Sequence, residues 1–162
     1  MLHEAAIKGD TPRLLSLLAS GTDVNGMYAG GTALLAAATY GRAATVKTLL
    51  AQGAEVDAVD DTESTALMWT IRYGLQQLEP DGGLTVLRLL LDFGADINRA
   101  DEMGDTPLML AVTEGSEEAI ALLLAYGADI HTLDDEGASL LALALKRRDF
   151  AIIARLKSAG AQ

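Results

Sequence analysis

The stretch Asp101-Glu102-Met103-Gly104-Asp105-Thr106-Pro107-Leu108-Met109-Leu110-Ala111, closed by Leu123-Leu124-Ala125-Tyr126-Gly127-Ala128-Asp129, decides the fold. Thr106 is a good helix N-cap, and Pro107 suits the first helical position because its missing N–H would be unpaired there anyway. Gly127 follows the second apolar run, where a left-handed residue ends a helix. The pattern predicts helix, turn, helix, then an extended, turn-rich segment.

Outward from this stretch the pattern recurs. Thr32-Ala33-Leu34, Thr65-Ala66-Leu67 and Ser139-Leu140-Leu141 repeat the anchor, and positions 32, 65, 106 and 139 are spaced by 33, 41 and 33 residues. Gly53-Ala54-Glu55, Gly94-Ala95-Asp96 and Gly160-Ala161 repeat the close, with Gly21-Thr22-Asp23 a weaker copy. Leu34, Ala37, Ala38, then Val46, Leu49 and Leu50, follow helical spacing, and the small alanines allow close packing. Five units result, about 1–26, 27–59, 60–100, 101–133 and 134–162, read as one domain with an eight-residue insertion in the third. One unit cannot bury its apolar face; a stack can.

A 33-residue period carrying Asp-x-x-Gly-x-Thr-Pro-Leu and ending Leu-Leu-x-x-Gly-Ala-Asp resembles the ankyrin repeat, across all five units. The resemblance implies an all-α solenoid of stacked helix-turn-helix units with projecting β-hairpin or loop tips. It also implies a non-enzymatic module that binds another protein through its concave groove and its tips. A small adaptor, or an inhibitor or immunity-type protein, is one concrete form. A regulatory fragment of a larger enzyme, channel or transcription regulator, or an engineered binding scaffold, is the alternative. The histidine usual after Thr-Pro-Leu survives only as His3, expected to brace the turn before its own helix; Leu35, Met68, Met109 and Ala142 replace it elsewhere. The last unit carries Lys146-Arg147-Arg148 where the others have a glycine turn, as expected of a terminal cap with a solvated outer face.

Composition narrows the chemistry. The 162 residues contain no cysteine, which excludes disulfides, thiolate metal sites and thiol catalysis. A net charge of −11 argues against nucleic acid or an anionic membrane as partner and toward a protein with a basic or mixed apolar and basic surface. Neither a phosphate loop nor a nucleophile elbow is present, and His3 and His131 lie at opposite ends of the array. No cofactor or metal is expected; the acidic runs lack the alternation of an EF-hand loop. The chain reads as a monomer without a membrane-inserted segment. A cytoplasmic location is expected, or a periplasmic or secreted one if a targeting segment was removed.

Two ladders of candidate binding residues emerge. At the end of each first helix, positions that the resemblance assigns to the groove hold Tyr40, Arg72, Tyr73, Thr113, Glu114, Lys146 and Arg147, with Ile7, Lys8 and Thr39 in the same register. Tyr40 and Tyr73 read as anchors, because two tyrosines in adjacent repeats share one groove position. Trp69, one turn before Tyr73, is either a groove residue or inter-repeat core. At the tips stand Tyr28, Asp60, Asp61, Asp101, Glu102, Met103, Asp134 and Asp135. The tip acids either cap turns and confer solubility or form an acidic ladder that meets a basic partner. The insertion, residues 75–84, is read as one extra turn on each helix, joined by Pro80-Asp81-Gly82-Gly83. It is either a tolerated insertion or a partner contact through Leu75 and Leu78.

Overall fold

A computed structural model describes residues 1–76 and 82–161. Among these residues the chain forms ten α-helices in two compact units, Met1–Ala95 and Asp96–Gln162. The first unit contains α1 (Leu2–Lys8), α2 (Thr11–Ala19), α3 (Ala33–Thr39), α4 (Ala43–Ala51), α5 (Ala66–Arg72) and α6 (Gly82–Asp92). The second contains α7 (Pro107–Glu114), α8 (Glu117–Ala125), α9 (Leu140–Arg147) and α10 (Phe150–Ser158).

The anchor residues start helices as their chemistry predicts. Thr32, Thr65, Thr106 and Ser139 are N-caps whose hydroxyls accept from the backbone N–H of Leu35, Met68, Met109 and Ala142. Each such cap contributes about 1 kcal/mol. Met68 completes its cap from the other side, with Sδ accepting from the Thr65 N–H at 3.4 Å. A thioether thus occupies the reciprocal position of a capping box.

In the first unit α1 packs on α3 and α3 on α5, forming one row; α2 packs on α4 and α4 on α6, forming the other. The core lies between the rows, where Leu14, Leu34, Leu49, Leu67, Ile71, Leu87 and Leu90 are buried. Ala5, Ala6, Ala37, Ala38 and Ala66 are fully buried, which lets the first helices approach closely. In the second unit α7 packs on α8 and α9, and α9 on α10, around Leu108, Met109, Ile120, Leu123, Ile152 and Leu156. Neighbouring repeats are also tied by side chains. Asn25 Oδ1 accepts from the Glu55 N–H and Asn98 Oδ1 from the Asp129 N–H, both at 2.9 Å.

Three of the tips contain an antiparallel one-residue bridge, Tyr28 with Gly31, Val59 with Thr65 and Leu133 with Ser139. Asp60, Asp101 and Asp134 build the later tips identically. In each, Oδ1 accepts from the backbone N–H two and four residues on: Thr62 and Ser64, Met103 and Asp105, Glu136 and Ala138. The Tyr28 tip lacks such an acid and closes instead as a two-residue turn, Ala29 at φ 53° and Gly30 at φ 84°.

The insertion differs from its expectation. Helix α5 keeps seven residues, the same as α3; a 3-10 turn, Gly74–Gln76, follows, and α6 has eleven residues against nine in α4. A methyl on buried Gly74 would stand 2.6 Å from the Ala38 carbonyl oxygen. Contact with α3 therefore leaves room only for a glycine where α5 gives way to the 3-10 turn. Leu78 and the Pro80-Asp81 part of the connection lie outside the described residues.

Candidate functional site

The first unit carries a cleft of about 540 Å³ where the exposed side of α1, α3 and α5 meets the first two tips. Ile7, Leu35, Ala36 and Thr39 form its floor; His3, Tyr28, Asp60 and Trp69 supply aromatic and polar groups. The helical repeat explains the floor. Positions on one face of each first helix recur from unit to unit, and the tip preceding each helix folds over that face.

His3 corrects its expectation. Its Nε2 donates to the Gly31 carbonyl at 2.9 Å, and its ring lies 5.4 Å from that of Tyr28. The ring therefore braces the turn of the following repeat, not its own, because the stack places each first helix beside the next tip.

Trp69 is half-buried and borders the cleft. Its indole N–H donates to Asp60 Oδ2 at 2.6 Å, and Tyr73 stacks on it with centroids 5.1 Å apart and planes at 25°. Asp60 also accepts from the Thr62 N–H and hydroxyl and from the Ser64 N–H. Burial pushes the Asp60 carboxyl up, but the Thr62, Ser64 and Trp69 donors together outweigh it and hold the group below the usual carboxylate value. Glu4 is lowered as well, chiefly by its hydrogen bond to Lys8 at 2.8 Å; Arg13 lies 3.8 Å away.

Tyr40 and Tyr73 follow α3 and α5 directly and are 39% and 47% exposed. Neither borders the cleft, whose lining ends one position earlier at Thr39. Arg72 is half-buried at the end of α5. In the second unit Thr113, Glu114, Lys146 and Arg147 are all exposed at the ends of α7 and α9. Arg147, however, donates from Nη1 to the Thr113 carbonyl and lies against Gly115. It caps the end of the neighbouring helix, where unpaired carbonyls favour a cation. Arg42 does the same for α1, Nε to the Ile7 carbonyl at 2.9 Å.

The tip acids divide by role. Asp101 is 7% exposed and turned into its own tip, which corrects its reading as a partner-facing charge; Asp60 and Asp134 have the same turn-building bonds and are half-buried. Asp61, Glu102, Met103 and Asp135 stand outside on the surface, as does Tyr28 at 68% exposure. The cue was available in the letters: an acid five residues before the anchor, with a glycine three residues after it at Gly104 and Gly137, is an Asx-turn pattern. The Trp69–Asp60 bond had no such cue. Among the described residues no helix is long and apolar enough to cross a membrane, and no group of three or more metal-ligating side chains comes together.

A family model described as ankyrin repeats (3 copies) matches residues 2–101, 59–134 and 77–162. The ankyrin repeat domain-containing protein SAT10 of Stachybotrys chartarum is 37% identical over 121 residues, 74% of this chain. The chain spans 6% of the length of that relative. The recurring caps, the paired helix rows and these matches agree: the chain belongs to the ankyrin-repeat family, whose members are generally protein-binding modules.

Proposed function

We propose that this chain is a non-enzymatic binding module that holds an extended segment of a partner protein along the first unit. The cleft carries the reading: it joins an apolar floor to hydrogen-bonding and aromatic groups in one 540 Å³ hollow. A segment entering at Tyr28 and Asp60 and running along the first helices would leave past Tyr40 and Tyr73. Those tyrosines are the proposed anchors at the far end. The outer acid Asp61 gives the approach to the cleft a negative field, and the net charge of −11 favours a partner with a basic or mixed surface. An adaptor or inhibitor role is the form this binding would take in a chain acting on its own; regulation of a linked domain is its form in a longer one.

The test is a peptide-display selection on the wild-type chain, with the selected segments then measured against two variants. Ile7→Glu places a charge on the cleft floor, and Tyr40→Ala/Tyr73→Ala removes the anchors. Loss of binding with Ile7→Glu and weakening with the double variant is expected. Segments that bind all three forms equally would remove the site from the first helices.

A further inference from the structure

We propose that the cleft recognises one kind of side chain on that segment: the guanidinium of an arginine, stacked on the ring of Trp69 and donating to Asp60 Oδ2. The assignment rests on the partner-binding reading above and adds the chemistry of the occupant.

Asp60 is an anion whose hydrogen-bond donors are all neutral. Its four hydrogen bonds come from two backbone N–H groups, a hydroxyl and an indole, and no cation lies within ion-pairing distance of it among the described residues. The other cleft carboxylate, Glu4, is already neutralised by Lys8. The carboxylate of the hollow that carries no ion pair is therefore Asp60, with Asp61 close by; a methyl on Gly30 would stand 3.1 Å from Asp61 Oδ2. Oδ1 is saturated by three donors, whereas Oδ2 has one and keeps a lone pair.

The aromatic groups select among cations. Trp69, Tyr28 and His3 border the same hollow, and Tyr73 covers one face of the indole, fixing its plane. A planar, weakly hydrated guanidinium can stack on an indole and still direct an N–H at a carboxylate edge-on; an ammonium is a point charge with a firmer water shell. The apolar floor of Ile7, Leu35 and Ala36 suits the methylene stem of the same side chain.

Trp69 is the chain's single tryptophan, so its fluorescence reports on the site alone. The probe is a blocked glycine–serine heptapeptide with one central arginine, titrated to millimolar concentration and compared with the same peptide carrying lysine or citrulline. A saturable change with the arginine peptide is expected, about tenfold weaker with citrulline and weaker with lysine. Asp60→Asn, which keeps Oδ1 for the turn, should lose about tenfold. The exposed Tyr28→Ala, whose helix content should match wild type, should weaken binding several-fold. No saturable change with arginine would overturn the assignment. Equal binding of citrulline, still lost with Tyr28→Ala, would overturn the guanidinium while leaving the cleft a partner site. Arginine binding indifferent to both variants would overturn the cleft itself.

Discussion

The Trp69 indole N–H donates to Asp60 Oδ2 at 2.6 Å, so one carboxylate fastens helix α5 to the tip that precedes it. The same carboxylate holds the tip closed through Thr62 and Ser64. A group that joins two elements in its ionised form makes their union depend on pH. Because the folded carboxyl titrates below its ordinary value of 3.8, its contribution is fully present above that value and is lost as pH falls through the folded one. Melting temperatures of wild type and Asp60→Asn, measured from pH 6 down to pH 3, should differ most at pH 6 and converge in acid. A gap that stays constant across that range would show that the ionised form is not what the fold uses.

Tyr40 and Tyr73 differ in what their removal does to the fold. Both are substantially exposed, but Tyr73 stacks on Trp69. An aromatic pair of this kind contributes about 0.5–1.5 kcal/mol beyond its buried area. Tyr40→Ala should leave thermal unfolding nearly unchanged, and Tyr73→Ala should lower the melting temperature slightly. The double variant should keep its helix content and cooperative transition by circular dichroism. A collapse of the transition would place the two rings in the core and end their candidacy as anchors.

These two cases show what was legible in the letters. The Thr-Ala-Leu and Thr-Pro-Leu anchors reveal caps because an N-cap hydroxyl acts on a backbone N–H three residues away. Periodicity finds the helices because burial of one face repeats with the turn. Relations across repeats carry no local pattern. His3 meets Gly31 across 28 positions, and Trp69 meets Asp60 only once the tip has folded over the helix. The insertion departs from its expectation for a related reason: counting turns does not register that residue 74 lies against the backbone of α3. Of the two readings of the tip acids, Asp60, Asp101 and Asp134 follow the turn-capping one, and their spacing to the glycine or left-handed residue of the turn is the reason.

Gly83 tests the packing of the insertion. Alanine is the better helix former, by up to about 1 kcal/mol, and Gly83 lies in the first turn of α6. Yet a methyl there would collide with the Gly74 carbonyl and stand 2.6 Å from Leu75 Cα, both backbone atoms. Overpacking of this kind typically costs about 1–3 kcal/mol, so the collision outweighs the propensity. Gly83→Ala should lower the denaturation midpoint, while Thr85→Ala, on the exposed side of the same helix, should leave it unchanged or raise it. Equal gains from both would mean that the 3-10 turn Gly74–Gln76 yields to α6 without cost.

Arg148 tests the opposite kind of defect, one relieved by substitution. It ends α9 in the left-handed conformation, φ 60° and ψ 32°, where the corresponding ends of α1 and α7 have Gly9 and Gly115. A residue with a Cβ is strained there by about 1–2 kcal/mol. Glycine removes that strain but frees the unfolded chain, returning about 0.4–1 kcal/mol of it. The difference is a net stabilisation of about 0.5–1 kcal/mol for Arg148→Gly, or roughly 1–3 °C in melting temperature for a chain of this size. Arg148→Ala keeps the Cβ and should gain nothing, which separates backbone strain from the loss of the exposed guanidinium. A rise with alanine equal to that with glycine would assign the effect to charge at the helix end, beside Lys146 and Arg147.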